Sequence, residues 1–379
     1  MGRKLLVTPY YDPHVVGGAE ISTQLIAEGL VGGADVLTAG TRDSERELNG
    51  VRIIEMRVPL LDGVWKQSLD GGRLTIRDKL GFHLMPHFPV PNLVNRYRSF
   101  IEEGGYDTVL VNSNEDIMAR ASLWKAAYDS GTRLVLALRD PLLIERPPLH
   151  GLTWNTAYRA LVRRQLRWVD SFVAPSQYML DLYAKYKMSC DSSCVIPNAV
   201  ASTNVPKVSF GEKHGVLYVG TLSENKGVET LLSASTLLRC GEELALIGRG
   251  PLMEKCRTSG VECMGWLPHD EAIAKMAQAK VVVLPSEWPE AFGRTLIEAV
   301  DAGTLVVGSD AGAIPEVLND DWRYLFAAGN IYGLAERIDR ICSLDEEGYA
   351  SELMGLRHQF ERYSLESYVK AWKGLLDDG

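Results

Sequence analysis

What the chain lacks narrows its class before any motif is read. No apolar stretch approaches the ~20 residues that a membrane-spanning helix needs, so any membrane contact is expected to be peripheral. The opening MGRKLLVTPYY runs straight into a strand-like pattern and carries no signal-peptide apolar region. Six cysteines (Cys190, Cys194, Cys240, Cys256, Cys263 and Cys342) are scattered without a Cys-x-x-Cys pair. That spacing argues against zinc and for reduced thiols in a cytoplasmic protein. Positive charge is not in excess: the net charge of −9 speaks against nucleic acid as the main partner, while leaving room for a local basic patch. No Asp-x-Asp word sits in a turn suited to a cation, and no lysine has the surroundings of a pyridoxal-bearing one. Neither residue type gives a sign of a bound metal or cofactor. What is present, 46% apolar and 23% charged residues over 379 positions, is a soluble globular composition long enough for two domains.

The most informative stretch is residues 281–303. Val281-Val282-Val283-Leu284 reads as a buried strand, because β-branched residues without alternation suit a parallel sheet covered on both faces. Pro285, Ser286 and Pro289 end it. Gly293 opens an amphipathic helix with Leu296, Ile297 and Val300 on one face and Gly303 as its stop. A strand, a tight turn and a helix start make an anion site, with the N–H groups of Phe292, Gly293 and Arg294 pointing outward. Glu290 and Glu298 bracket this turn. A carboxylate beside an anion cradle is suited to accept hydrogen bonds from hydroxyls. An anion cradle with two hydroxyl readers describes a nucleotide-sugar site; the alternative is a surface helix with two solvated glutamates.

The whole word PSEWPEAFGRTLIEAVDAGTLVVGSDAGAIPEV resembles the donor-site stretch of retaining glycosyltransferases of family four, with their Glu-x7-Glu signature. That resemblance implies the GT-B fold: two Rossmann-like, doubly wound α/β domains facing across a cleft, with the last helix crossing back to the first. It places an acceptor-binding domain at 1–205 plus 363–379 and a nucleotide-sugar domain at 206–362. It implies that Glu290 holds sugar hydroxyls, Glu298 holds ribose hydroxyls, and the turn from Ala291 through Phe292, Gly293 and Arg294 to Thr295 receives the diphosphate. Lys226, in the word ENKG, matches a diphosphate-gripping lysine, but Thr221 stands where relatives carry an arginine. One cation is thus missing unless Arg249 or Arg294 supplies it. Gly17 and Gly18 match a turn that faces the donor phosphates, and in GWLP the backbone of Gly265 and Leu267 is expected at the base. Arg139 replaces a histidine that relatives often carry. An arginine cannot serve as a base at neutral pH, which leaves it the binding of an acceptor anion or a donor phosphate. Asp140 either orients it or caps the next turn.

Elsewhere, strands are expected at 4–11, 35–39, 51–58, 108–112, 134–138 and 172–174. With helical segments between most of them and no hairpin signal, a doubly wound parallel sheet follows. Residues 60–100 read as a long irregular insert that shapes the acceptor pocket; within it His83 and His87 are expected in a packed loop rather than on a metal. The segment 153–169 carries Arg159, Arg163, Arg164 and Arg167 on one face of a helix. Such a helix either covers the sheet with a solvated face or rests on the anionic inner face of a membrane. The tail from Tyr363 has a helical stripe of Leu365, Tyr368, Val369 and Trp372. The expected activity is metal-independent, retaining transfer of a sugar from a nucleoside diphosphate sugar to an acceptor. The rival readings are a non-catalytic nucleotide-sugar binder and a GT-B epimerase. Base, sugar, acceptor and oligomeric state are not written in these residues.

Overall fold

The computed structural model describes residues 2–13, 18–30, 33–62, 75, 86–112, 118–145, 155–200, 205–206, 208–319 and 322–377. The chain divides into two compact units, Met1–Pro197 with Tyr368–Gly379, and Asn198–Ser367.

The first unit is built on β1 (Arg3–Val7), β2 (Ala34–Gly40), β3 (Ser44–Leu48), β4 (Val51–Arg57), β5 (Tyr106–Val111), β6 (Arg133–Ala137), β7 (Ser171–Ala174) and β8 (Ser192–Val195). They lie in the order β3-β4-β2-β1-β5-β6-β7-β8. Runs such as Leu5-Leu6-Val7 and Val109-Leu110 are buried on both faces, which is why they carry no polar alternation. The pairs are parallel except β3 with β4. That exception corrects the expectation of a chain without hairpins. Asn49 (φ 52°) and Gly50 (φ 77°) join the two strands, and Asn-Gly is the dipeptide that accepts positive φ at both turn positions. The signal is easy to pass over because Glu45, Arg46 and Glu47 give β3 no apolar alternation.

A second correction concerns 60–100, which is not irregular throughout. Pro91–Gly104 is a helix that buries Leu93, Val94, Tyr97 and Ile101; Pro91 fixes its first turn and Gly105, at φ 64°, ends it. His87 is buried, with its ring edge-on to Tyr158 at 5.3 Å and its carbonyl accepting from Gln165 at 2.7 Å. His83 lies outside the described residues. The basic segment contains the helix Asn155–Gln165, which buries Tyr158, Val162 and Gln165 and exposes Arg163 and Arg164. Arg159 lies 4.8 Å from the Tyr186 ring instead of standing free. No helix among the described residues is long and apolar enough to cross a membrane.

The second unit carries β9 (Val216–Val219), β10 (Leu244–Ile247), β11 (Glu262–Gly265), β12 (Val281–Leu284), β13 (Leu305–Ser309) and β14 (Leu325–Phe326), all parallel, in the order β11-β10-β9-β12-β13-β14. The chain runs on from β9 and from β12 in opposite directions along the sheet, and such a switch point is where open α/β sheets hold ligands. In the first unit the corresponding point lies between β1 and β5. The helix Leu365–Asp377 buries Tyr368, Trp372 and Leu376, and from Tyr368 onward it belongs to the first unit. Its Val369 leaves no room for a side chain at Gly29, and its Leu375 carbonyl accepts from Arg133 at 2.8 Å.

Candidate active site

At the switch point of the second unit, two loops are sewn together by their backbones. The carbonyl of Asn225, in the turn after β9, accepts the N–H groups of Glu287 (3.0 Å) and Trp288 (2.9 Å), in the loop after β12. Gly227 makes this approach possible: a Cβ there would lie 1.8 Å from the Pro285 carbonyl oxygen, and its φ of 67° is one that L side chains rarely adopt. Thr230 Oγ1 adds a bond to Glu287 at 2.5 Å. A third loop, after β13, clamps Glu290 itself. Ala313 N–H donates to the Glu290 carbonyl at 2.9 Å, and Gly312 (φ 68°) packs so closely on Glu290 that a Cβ would come within 2.4 Å of its backbone.

These contacts hold two carboxylates in the same manner. Glu290 Oε1 receives Lys226 Nζ at 2.6 Å and Ser286 Oγ at 2.5 Å, and Ser286, fully buried, accepts at its carbonyl from Ser309 at 2.6 Å. Glu298 Oε1 receives Arg294 Nε at 2.9 Å and His269 Nε2 at 3.2 Å. Among the described residues no hydrogen bond is made to the second oxygen of either. Each carboxylate is thus pinned at one oxygen and presents the other. The bond from Glu298 raises the pKa of His269 above the ordinary histidine value, against the opposing effect of its partial burial.

Between the carboxylates the helix Arg294–Asp301 begins, with Gly293 (φ 88°, ψ 47°) as its cap residue and no capping side chain. Phe292 is buried and meets Tyr363 edge-on at 5.3 Å, which anchors the turn from behind. Leu296, Ile297 and Val300 face the core and Gly303 (φ 91°) follows the last turn. The helix Val228–Ser235 starts in the same way, on Gly227 and without a capping side chain. Among the described residues, two helix N-termini without a capping side chain, one lysine and one arginine therefore lie at the switch point. Ala291, Gly293, Arg294 and Thr295 are all partly accessible along this turn.

The other expected donor residues sit on the loops beside it. Thr221 is exposed on the loop after β9, its carbonyl accepting the Tyr218 hydroxyl at 2.8 Å. Arg249, exposed after β10, lies 5.8 Å from the ring of Trp266, itself 61% exposed. Gly265 (φ 74°) ends β11, and its carbonyl is already taken by the N–H of Gly248 at 2.7 Å. Leu267 packs partly against the core.

Arg139 and Gly18 belong to the first unit, and Gly17 lies outside the described residues. Gly18 opens the helix Gly18–Gly29, and a Cβ there would meet nothing within 4 Å. Arg139 donates through Nε and Nη2 to Asn112 Oδ1 (2.8 and 2.6 Å), and Nη2 also reaches the Tyr368 hydroxyl at 3.3 Å. Asn112, fully buried at the end of β5, in turn donates to Ala19 O and Thr23 Oγ1 on the Gly18 helix. Asp140 is seen in the turn-capping arrangement, accepting from Leu142 N–H at 2.8 Å.

Sequence reasoning passed over Ser286, Asn225 and His269 as members of this arrangement. Ser286 stands in the same quoted word as Glu290 and could have been found there. Asn225 acts through its carbonyl, and His269 lies 29 residues from its partner, so neither leaves a local signal.

Comparison with known proteins identifies the family. The profile of Glycosyltransferase Family 4 matches residues 16–203, and that of Glycosyl transferases group 1 matches residues 213–343. An uncharacterized 42.6 kDa protein in the cps region of Klebsiella pneumoniae is 24% identical over 98% of this chain and 99% of its own length. The phosphatidyl-myo-inositol mannosyltransferase of Mycobacterium leprae is 30% identical over 65% of this chain and 67% of its own. Anabaena HepE, solved with UDP and glucose, superimposes with a TM-score of 0.73 over the full length of both chains at 19% identity, a likeness of fold. With both of its α/β units matched by glycosyltransferase profiles, the chain belongs to glycosyltransferase family 4.

Proposed function

We propose that the chain transfers a sugar from a nucleoside diphosphate sugar to an acceptor, with retention at the anomeric carbon and without a metal ion. The observation that carries this reading is the pair of carboxylates, each pinned at one oxygen, on either side of an uncapped helix start. Breaking the sugar–phosphate bond leaves negative charge on the diphosphate. Lys226, Arg294 and the N-termini of Arg294–Asp301 and Val228–Ser235 are placed to stabilise that charge without reorganising. These fixed donors are the basis for proposing a reaction independent of metal. Glu290 orients the transferred sugar through its hydroxyls, and Glu298 orients the ribose. Glu290, occupied by Lys226 and Ser286, acts as an anchor. The departing phosphate oxygen is then the acceptor for the incoming hydroxyl's proton, and that arrangement needs attack on the face the leaving group vacates. HepE was solved with UDP, which makes uridine diphosphate sugars the first donors to try.

The test is incubation of the purified chain with UDP-, GDP- and ADP-sugars, with and without EDTA, followed by NMR of the products. Turnover that survives EDTA and gives a product of the donor's own anomeric configuration is expected. An inverted product overturns retention, and loss of activity in EDTA overturns metal independence. Tight binding of every donor without turnover favours a nucleotide-sugar binder instead.

A further inference from the structure

We propose that His269 is a positioning residue for the donor: together with Arg294 it fixes Glu298 so that the free carboxylate oxygen meets the ribose hydroxyls. The inference rests on the ribose role proposed above for Glu298.

Arg294 and Glu298 are one helical turn apart, and the arginine holds the carboxylate through a single nitrogen, Nε, on a single oxygen. On its own it would leave the carboxylate free to exchange its two oxygens. His269 changes this because it comes from another element, the first residue of the helix His269–Gln278 after Pro268. Its Nε2 reaches the same oxygen, Oε1, that Arg294 Nε holds. Two donors from two helices on one oxygen define the plane of the carboxylate and direct Oε2 away from both. The imidazole is the more exposed partner of the pair, its side chain 52% accessible against 10% for that of Glu298. Three groups face His269: Glu298 and Asp270, whose Oδ1 is 3.8 Å from Nδ1, favour the imidazolium, and Arg294 opposes it. Protonated His269 donates from Nε2 whichever tautomer the neutral ring prefers. The hold on Glu298 is strongest on the acid side of the titration and loosens as the ring loses its proton.

The experiment measures binding by calorimetry of whichever of UDP, GDP and ADP binds most tightly, and of its 2′,3′-dideoxy analogue. The full chain is compared with Glu298→Ala, His269→Ala and His269→Gln, each checked for folding by thermal melting, at pH 6 and pH 8. Glu298→Ala is expected to weaken the ribonucleotide by about tenfold and the dideoxy analogue hardly at all, as loss of hydrogen bonds to a charged group implies. His269→Ala should show the same selective loss at about three- to tenfold. His269→Gln, whose amide can donate in place of Nε2, should restore most of it. In the wild type the preference for ribose should shrink from pH 6 to pH 8, and in His269→Gln it should not. If His269→Ala weakens both nucleotides equally, or neither while Glu298→Ala keeps its selective loss, the positioning role is wrong and the ribose reading stands. If Glu298→Ala binds the ribonucleotide like wild type, the ribose reading falls and this inference falls with it.

Discussion

Lys226 and Glu290, 64 residues apart in the chain, meet at 2.6 Å between the loops that follow β9 and β12. The contact joins a cation proposed to face the leaving diphosphate with the carboxylate proposed to hold the sugar. The two groups that a glycosyl transfer must align are thus aligned by each other before a donor arrives.

Replacing Glu290 by Ala should act on turnover more than on donor binding. Its partner is the sugar in transfer, whereas most of the donor's affinity is expected to come from the nucleotide. The expected result is a fall in kcat of at least about tenfold, or ~1.4 kcal/mol, with donor affinity within about threefold of wild type. Steady-state kinetics and calorimetry on the same preparation check this, and an unchanged kcat removes Glu290 from the site.

Gly227→Ala should damage both stability and activity. The added methyl would strike the Pro285 carbonyl and the residue would have to keep a φ of 67°, so a loss of about 1–3 kcal/mol is expected. Its signature is a lower Tm together with weaker donor binding, because the loop carrying Glu290 must move aside. Gly241→Ala is the control: its φ of 74° is similar but no atom lies within 4 Å of the new Cβ, so it should lower Tm less and leave donor binding intact.

Arg294→Ala should lower kcat/KM at least about tenfold, or ~1.4 kcal/mol. Its Nε is committed to Glu298, which offsets the cost of a cation at a helix start, and the guanidinium still places positive charge beside the turn proposed to receive the diphosphate. Thr221, exposed on the loop after β9, is a position from which a cation could be supplied again. Thr221→Arg in the Arg294→Ala background should recover part of the loss. Wild-type kinetics for Arg294→Ala would shift attention to Arg249.

Lys213 gives a pH dependence of stability unconnected with the chemistry. Its ammonium donates to the Ala277 carbonyl (2.6 Å) and Thr304 Oγ1 (2.9 Å). Burial, reinforced by Arg357 and Lys280, lowers its pKa to about 8. Between that value and the ordinary lysine range the unfolded chain holds a proton that the folded chain has released. Stability therefore rises with pH across this window, and the penalty is complete below about pH 8. Lys213→Met should flatten the slope of denaturant midpoint against pH from about 8 to 10. A slope unchanged by the substitution contradicts the assignment.

The parts of the fold that were legible in the residues are those with a local period. Val281–Leu284 is an unbroken apolar run, three of its residues β-branched, and Leu296, Ile297 and Val300 recur at helical spacing; both proved buried as the pattern requires. Glu290 and Glu298 were legible because their spacing brackets the turn. The helix Pro91–Gly104 was hidden because its Asn and Arg residues obscure the buried positions 93, 94, 97 and 101. The surroundings of Arg139 were not legible at all. Its partners Asn112 and Tyr368 are 27 and 229 residues away, and only the tertiary fold brings them together. The same holds for His269, whose neighbour in sequence, Asp270, says nothing about Glu298.

The helix that supplies Tyr368 also bears on how the molecule is made. Residues 368–377 complete the first unit: Trp372 is fully buried there, and the Tyr368 hydroxyl bonds Ser22 and Arg139. The second unit, by contrast, is continuous in sequence from Asn198 to Ser367. Translation usually lets the earlier domain fold first. Here the surface around Arg139 and Gly29 in the unit begun first stays uncovered until residues 368–377 have been made, whereas the unit begun second needs nothing beyond Ser367.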